Sequence, residues 1–316
     1  MKKVLVTGGA GFIGSHIVDA LVERGLQVRV LDNLSTGRLE NLEQSRNKID
    51  FIETDLTDAT AVARAVTGVD CIFHQAALAS VPRSVAHPLD SHAACATATL
   101  TLLAAARKAG VKRLVYAGSS SAYGDQATPV KRETDFPLPI SPYAAAKLSG
   151  ELYCHAFSAM KAVETVTLRY FNVFGPRQDP KSEYSAVIPR FITALLSGKA
   201  PMIFGDGKQS RDFTFVGDVV QANLLAAEAE NVASRVFNIA NGNRTTLLEL
   251  VAALNKLLGT KIQPKHDDPR PGDIRDSQAD ISEAKKCLGF EPKIDFVEGL
   301  RLSIDYYRNV AGHGKK

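Results

Sequence analysis

Short runs of β-branched and apolar residues alternate with amphipathic segments through the first half of the chain. Six such runs predict strands, at 3–7, 27–32, 50–54, 71–75, 113–118 and 164–170. The segments between them carry apolar residues at helical spacing, and several end on glycine, at 12–25, 59–68, 89–110 and 142–160. This alternation predicts a parallel sheet with helices on both faces, a doubly wound α/β domain that binds ligands at the carboxyl ends of its strands.

The regular pattern loosens after residue 172. Prolines and glycines cluster in 174–184 and again in 266–273, and the elements between these clusters are short. A helix at 217–230 and a strand at 236–240 return to the pattern of the first half. We therefore predict two interleaved domains, a larger one formed by 1–172 with 212–240, and a smaller, substrate-binding one formed by 173–211 and 241–316.

Composition limits the kind of protein that this chain can be. Hydrophobic residues make up 45% and charged residues 23%, which are ordinary values for a globular protein. The net charge of +4 is spread along the chain without a long basic run, so we expect no nucleic-acid partner. The four cysteines are widely separated and form no metal-binding motif, which favours reduced thiols and no metal site. Early glycines interrupt the apolar N-terminus, and no later stretch reaches the roughly 18 apolar residues of a membrane span. We therefore expect a soluble, cytoplasmic protein with no membrane partner.

The stretch ISPYAAAKLSGE, at 140–151, places Tyr143 and Lys147 four residues apart. On a helix these positions share one face, and Ser141 and Pro142 are favourable residues for the start of that helix. The geometry permits a catalytic pair, but the same motif also occurs by accident on solvated helix faces. Taken alone, the stretch leaves both interpretations open.

Three glycines, Gly8, Gly11 and Gly14, stand where the first predicted strand meets the first predicted helix. They permit a tight turn, a close approach of the backbone to a pyrophosphate and packing of helix on strand, while the helix N-terminus offers free N–H groups. Asp32, at the end of the second strand, is suited to bind the ribose hydroxyls of adenosine and to repel a 2′-phosphate. The pattern predicts NAD rather than NADP. Asp55, after the third strand, either reaches the adenine or caps the next helix.

Five motifs follow one another in the order of a known family. They are the glycine turn, SSSAYG at 119–124, YAAAK at 143–147, LRYFNVFGPRQ at 168–178, and SRDF at 210–213 followed by RPGD at 270–273. Together they resemble the extended short-chain dehydrogenase/reductases, and among these the UDP-hexose 4-epimerases, in particular those that act on UDP-N-acetylglucosamine. The resemblance covers nearly the whole chain. It implies a Rossmann NAD-binding domain, a smaller nucleotide-sugar-binding domain and a homodimer.

The resemblance favours the catalytic interpretation of the tyrosine and the lysine. It implies that Tyr143 removes the proton of the sugar 4-hydroxyl, that Lys147 lowers the pKa of Tyr143 and binds the nicotinamide ribose, and that Ser119 shares the proton. A 4-keto sugar would form and then be reduced on its opposite face. The implied cofactor-binding residues are Gly8, Gly11, Phe12, Ile13, Gly14, Asp32, Asn33, Asp55, Leu56, Gln75, Ala76, Ala77, Tyr143, Lys147 and Tyr170.

The resemblance also implies how a UDP-sugar would be bound. Arg211 and Arg270 would hold its pyrophosphate, Asp273 its uridine ribose and the segment 184–189 its uracil. Ser277 stands where a bulky tyrosine would exclude an N-acetyl group at C2. We therefore predict interconversion of UDP-GlcNAc and UDP-GalNAc, and also of UDP-glucose and UDP-galactose. The full implied set of substrate-binding residues is Ser120, Ser121, Asn172, Val187, Arg211, Arg270, Asp273 and Ser277.

Two other functions stay open, and one position departs from the family. A UDP-uronic acid 4-epimerase would use Arg177 or Lys181 for the carboxylate, and a catalytically silent NAD-binding sensor would share the fold. Elimination and decarboxylation are disfavoured because Ser120 and Ser121 stand where the sister enzymes carry carboxylates. Cys95 replaces an asparagine that is buried in the family, so water or backbone must replace its hydrogen bonds.

Overall fold

The computed structural model describes residues 1–126, 128–180, 186–269 and 275–313. Within them the strands are β1 Lys3–Thr7, β2 Gln27–Asp32, β3 Ile49–Glu53, β4 Cys71–His74, β5 Arg113–Ser119, β6 Val130–Lys131, β7 Glu164–Tyr170, β8 Val173–Phe174, β9 Met202–Phe204, β10 Ser210–Arg211, β11 Thr214–Phe215, β12 Arg235–Ile239, β13 Thr245–Thr246, β14 Lys265–Asp267 and β15 Asp276–Ala279. The helices are α1 Phe12–Glu23, α2 Ala59–Ala65, α3 Val81–Ala86, α4 Pro88–His92, α5 Ala98–Ala109, α6 Pro142–Ala159, α7 Val187–Leu196, α8 Val216–Glu228, α9 Leu247–Leu258, α10 Ser282–Leu288 and α11 Phe296–His313. Shorter helical turns lie at Leu39–Leu42, Arg46–Lys48 and Ser120–Tyr123, and a π-helical turn at Ala93–Thr97.

A seven-stranded parallel sheet forms the centre, in the order β12-β7-β5-β4-β1-β2-β3. All the strands predicted from apolar runs belong to it, and β1, β2 and β7 have the predicted bounds. The chain order reverses at β1, which lies between β2 and β4. In such sheets the crevice at the reversal, beyond the carboxyl ends of the strands, is where ligands bind. The predicted doubly wound α/β fold is confirmed.

Alternating side chains of this sheet build a core on each of its faces. Val4 and Val6 of β1 pack in one apolar cluster with Ile17 of α1. Leu5, between them, packs in another cluster with Leu102 of α5. Because both faces are covered, the central strands are buried at nearly every position: β4 at all four and β7 at six of seven.

The beginnings of two helices decide where candidate residues lie. α6 begins as predicted, because the Ser141 hydroxyl accepts the N–H of Ala144 at 3.2 Å and Pro142 takes the first helical position. α2 is capped by Asp58, whose carboxylate accepts two backbone N–H groups of the first turn. Asp58 therefore has the capping role that the sequence left open for Asp55, and Asp55 instead accepts the N–H of Thr57, at 2.8 Å.

A second, four-stranded sheet joins distant segments, in the order β13-β10-β15-β6. Asp212, buried at the end of β10, ties it together, since its carboxylate accepts the N–H groups of Asn241 at 3.0 Å and of Gly242 and Ala279 at 3.1 Å. Burial raises the pKa of Asp212 to about 7. The division into two interleaved domains stays a prediction. Within the described residues no helix is long and apolar enough to cross a membrane.

Candidate active site

The turn between β1 and α1 has no room for side chains. Gly8 has a φ of +67°, and a Cβ there would lie 2.6 Å from the backbone nitrogen of Ala76. At Gly14 a Cβ would lie 2.1 Å from the carbonyl oxygen of Gly8. Gly11 precedes α1 without a side-chain cap, which leaves the first N–H groups of the helix and the positive end of its dipole facing the turn. This cradle fits the pyrophosphate of a dinucleotide.

Asp32 ends β2 beside this turn. Its carboxylate accepts the N–H of Ala10 at 2.9 Å and that of Leu34 at 2.8 Å, and burial raises its pKa. A Cβ at Gly37 would lie 2.8 Å from the same carboxylate. The loop after β2 can therefore approach Asp32 only because residue 37 is glycine, a feature that the sequence did not predict.

Other predicted cofactor-binding residues follow the strands at the same edge of the sheet. Asn33 donates its amide to Asp55 at 2.6 Å, which joins the ends of β2 and β3. Gln75, after β4, accepts the hydroxyl of Tyr170 at 3.1 Å, and Tyr170 accepts the amide of Asn223 at 2.8 Å. The rest are neighbours in the chain: Phe12 and Ile13 begin α1, Leu56 follows Asp55, and Ala76 and Ala77 follow Gln75.

Tyr143 lies in the first turn of α6, and Ser119, at the end of β5, lines the same cavity as Tyr143. The Ser119 hydroxyl bonds that of Ser121, at 2.8 Å. Burial raises the pKa of Tyr143 above its ordinary value, and the Ser119 side chain offsets part of that rise. At neutral pH the phenol is therefore protonated, and it becomes a base only when a positive charge comes close.

Lys147 follows one turn later on α6 and is buried. Its ammonium lies 4.3 Å from the centre of the Tyr116 ring, a cation–π contact, and burial lowers its pKa. Tyr116 donates its hydroxyl to the carbonyl oxygen of Lys147 at 3.0 Å. Both contacts depend on Gly150, because a Cβ there would lie 2.3 Å from the Tyr116 hydroxyl oxygen. The helix thus holds Lys147 through an aromatic neighbour that no motif identified.

His74, at the end of β4, connects β1 with the helical segment that carries Cys95. Its Nδ1 bonds the Thr7 hydroxyl at 2.7 Å and its Nε2 the Thr99 hydroxyl at 2.9 Å. Thr99 donates its proton to the carbonyl oxygen of Cys95 at 2.5 Å, so the imidazole proton belongs on Nε2. Burial lowers the pKa of His74 to about 3, which keeps the ring neutral. Cys95 is buried in the π-helical turn, and a threonine satisfies its carbonyl group.

A cavity of about 400 Å³ opens beside these groups. It brings the predicted catalytic residues Tyr143 and Ser119 together with Arg211 and Ser277, which lie far along the chain. Among its described lining residues Asp276 is the only carboxylic acid, and it accepts the hydroxyl of Ser210. Six other predicted residues also line it: Phe12, Ile13, Ser120, Ser121, Tyr170 and Asn172. The lining residues that the sequence analysis did not predict are Ala79, Gly118, Tyr123, Gly124, Lys131, Val173 and Gln178.

A second cavity, of about 260 Å³, adjoins the first and shares Arg211, Asn172 and Val173 with it. Val187, another predicted residue, lines the second cavity but not the first. Arg211 donates to the carbonyl oxygens of Ser210 at 2.9 Å and Arg275 at 3.1 Å, which fixes the guanidinium where the two cavities meet. A ligand with a diphosphate between two bulky ends fits such a pair of cavities.

Several predicted residues are not part of these cavities. Arg177 lines neither of them, since its guanidinium pairs with Asp19 of α1 at 2.7 Å. Arg270, Asp273 and Lys181 lie outside the described residues. Lys131 was missed because the two-residue strand β6 has no periodicity. A glycine inside the helical pattern of 142–160 was a signal that could have identified Gly150.

The chain was compared with known proteins. Residues 4–240 match the model of the NAD dependent epimerase/dehydratase family. A UDP-glucose 4-epimerase of Mycolicibacterium smegmatis is 40% identical, over 97% of this chain and 99% of the relative. Weaker matches, at 30–38% identity, include UDP-glucose and UDP-glucuronic acid 4-epimerases solved with NAD, and a UDP-N-acetyl-alpha-D-glucosaminuronate decarboxylase.

Two solved structures of proteins bound to UDP-sugars resemble this chain over nearly its whole length. A UDP-N-acetylglucosamine 4-epimerase from Methanobrevibacter ruminantium, in complex with UDP-N-acetylmuramic acid, is 44% identical with a TM-score of 0.94, over 98% of this chain and 99% of the other. A UDP-glucose 4-epimerase from Thermotoga maritima, with UDP-glucose, is 41% identical with a TM-score of 0.93 over the same shares. The similarity to each structure therefore extends over nearly the whole of this chain.

Proposed function

The chain belongs to the NAD-dependent epimerase/dehydratase family and is a UDP-sugar 4-epimerase, and we propose that it interconverts UDP-GlcNAc with UDP-GalNAc as well as UDP-glucose with UDP-galactose. One observation carries the proposal. A single cavity joins Tyr143 and Ser119, which can handle a hydroxyl proton, to Arg211 and to the small side chain of Ser277.

The residues of the turn and strand ends fit NAD. Gly8 and Gly14 leave room for its pyrophosphate, and Asp32 would meet the adenosine ribose. When bound, NAD would take a hydride from C4 of the sugar, return it, and bring a positive charge close to the phenol.

Tyr143 and Ser119 would divide the proton transfer between them. Tyr143 would take the proton of the 4-hydroxyl as a phenolate and give it back after the sugar has passed through its 4-keto form. Ser119, which lines the same cavity as Tyr143, would hold the same sugar oxygen. Lys147, one turn further along α6, would support the base through its charge, and its ammonium lies over the Tyr116 ring.

The lining of the cavity supports epimerisation over the sister reactions. Ser120 and Ser121 present hydroxyls beside Ser119, and Asp276 already accepts a hydrogen bond from Ser210. Elimination at C5 and C6 needs an acid and a base besides Tyr143, and the described lining residues offer no unengaged carboxylate. The small Ser277 is 8% exposed and leaves space for a substituent at C2.

The test is direct. The purified protein is incubated with UDP-GlcNAc without added NAD, and UDP-GalNAc is sought by chromatography, with UDP-glucose as the second substrate. Tyr143→Phe should keep its bound NAD and lose turnover by roughly 100-fold or more. If neither sugar is converted even with NAD added, the proposed substrates are wrong. If Tyr143→Phe is as active as the wild type, the assignment of the base is wrong.

The two alternatives are separated by the same assay. A UDP-uronic acid 4-epimerase would convert UDP-glucuronate faster than UDP-GlcNAc, although Arg177 is engaged with Asp19. A silent NAD sensor would bind NAD without converting any sugar, and the retained Tyr143, Lys147 and Ser119 argue against it.

We also propose that the enzyme is a cytoplasmic homodimer. Leu89 of α4 is 81% exposed and Leu152 of α6 is 59% exposed, and Tyr153 beside it is exposed as well. Such large apolar side chains on neighbouring helices suit a helix-to-helix contact between two copies. Light scattering should give twice the monomer mass, and Leu152→Asp should give the monomer.

A further inference from the structure

Lys131 is a buried cation at the cavity that the function proposed above does not use. It is 3% exposed and lines the cavity that holds Tyr143. Its ammonium donates to the carbonyl oxygens of Gln126 at 2.8 Å and Thr128 at 2.6 Å. Among the described residues these two carbonyl oxygens are its acceptors. An ammonium carries three protons, so one is left for a ligand.

The register of the small sheet places Lys131 on the face that carries the substrate-binding residues. Arg211 pairs with Ser277, and Ala279 pairs with Lys131. Paired residues lie on the same face of a sheet, as do residues two apart on one strand. Arg211, Ser277 and Lys131 therefore share one face, and all three line the cavity. Lys131 lies beyond Ser277, roughly 7–8 Å from it by the spacing of diagonal neighbours.

Among the described lining residues of the cavity, Arg211 and Lys131 are cations and Asp276 is the one carboxylic acid. Arg211, where the two cavities meet, suits the diphosphate, which leaves Lys131 as a second cation near the sugar ring. Asp276 is bonded to Ser210. Burial lowers the pKa of the Lys131 ammonium, and the negative charges of Asp135 and Asp125 offset part of that decrease. Neutral hexoses do not need a cation at this place, whereas a carboxylate does.

We propose that Lys131 binds a carboxylate carried by the hexose, so that the enzyme also accepts an acidic UDP-sugar. The inference rests on the proposed epimerase function and extends its substrate class. The carboxylate could stand at C6, as in UDP-glucuronate, or on a lactyl ether at C3, as in UDP-N-acetylmuramic acid. The two probes distinguish these positions.

The experiment compares wild type, Lys131→Met and Lys131→Arg, with Lys199→Met as a control at an exposed lysine that lines neither cavity. Dissociation constants are measured for UDP-glucuronate, UDP-N-acetylmuramic acid and UDP-GlcNAc, and turnover for each. Lys131→Met should weaken binding of one acidic sugar about 10- to 100-fold more than that of UDP-GlcNAc. Lys131→Arg should restore part of it, and Lys199→Met should match the wild type.

Equal weakening for acidic and neutral sugars would overturn the proposal and assign Lys131 to holding its loop. So would a wild type that converts UDP-GlcNAc but binds neither acid. If the wild type converts no UDP-sugar, the proposed function fails first. Should Lys131→Met not fold, the wild type still decides: added salt should weaken binding of the acidic sugar more than that of UDP-GlcNAc, since both share the diphosphate.

Discussion

A substitution at Gly150 tests how the structure positions α6, the helix that carries Tyr143 and Lys147. A Cβ at this position would lie 2.3 Å from the hydroxyl oxygen of Tyr116, 2.8 Å from its Cζ and 3.2 Å from the Thr99 hydroxyl oxygen. Tyr116 is fully buried, donates to the carbonyl oxygen of Lys147 and lies under the Lys147 ammonium. Gly150→Ala therefore pushes the aromatic support of Lys147 out of its place.

The magnitude follows from three opposing contributions. Overpacking of a well-filled core costs about 1–3 kcal/mol, and loss of the Tyr116 hydrogen bond costs about 1 kcal/mol more. Replacing glycine by alanine inside a helix returns about 1 kcal/mol. The variant should therefore be about 1–3 kcal/mol less stable than the wild type. Because Lys147 moves with Tyr116, turnover should fall by roughly tenfold or more.

Urea unfolding gives the stability and conversion of UDP-GlcNAc gives the turnover. Ser149→Ala is the matched control, since that side chain bonds only the carbonyl oxygen of Ala145 on the exposed side of α6. An alanine variant at residue 150 as stable and as active as the wild type would refute the reasoning. A variant that lost stability but kept full turnover would show that Tyr116 does not position Lys147.

Three further predictions concern substrate, cofactor and pH. Ser277→Tyr should reduce turnover of UDP-GlcNAc and UDP-GalNAc by about tenfold or more relative to the plain hexoses, because the larger side chain fills space beside C2; equal losses in a chromatographic assay would contradict this. Asp32→Ala should weaken NAD and improve NADP binding, measured by titration calorimetry, because the repulsion of a 2′-phosphate disappears; an unchanged preference would show that another residue selects the cofactor. Burial raises the pKa of Asp212 from 3.8 to about 7, so this group holds more protons in the folded than in the unfolded state. Its contribution to the free energy of unfolding is therefore full below pH 3.8 and is lost as the pH rises through about 7. In the wild type this loss lowers the free energy of unfolding between pH 4 and pH 7 by at most about 1.4 kcal/mol per pH unit, and Asp212→Asn should remove that decrease. Urea titrations that give the same pH dependence for both proteins would contradict this.

The strands of the main sheet could be predicted because their signal is local. β1, β2 and β7 are rich in β-branched and other apolar residues, and helices cover both faces of the sheet. The glycine turn was equally visible, because Gly8 and Gly14 have almost no space for a Cβ. The resemblance then supplied candidate site residues, and the structure brings Ser119, Tyr143, Arg211 and Ser277 to one cavity. Their roles stay predictions.

What the sequence left out depends on contacts between distant segments. The support of Lys147 by Tyr116 involves two elements that no motif connects. Asp55 was a candidate helix cap, but the cap is Asp58, three residues on. Arg177 was a candidate carboxylate ligand, but its guanidinium reaches Asp19 instead. In each case the residue type was suitable and the direction of the side chain was decided by packing.

Periodicity, capping and the size of a Cβ act over a few residues. The elements of the main sheet, the start of α6 at Ser141 and the glycine turn could therefore be predicted from the sequence alone. Which side chains line the cavity depends instead on contacts between distant segments. β6, β10 and β15 are each two to four residues long and come from separate parts of the chain, so their register depends on pairing and on the buried carboxylate of Asp212. That register places Lys131 and Ser277 on the same face of the small sheet, and we propose that these two residues influence which sugars the enzyme accepts.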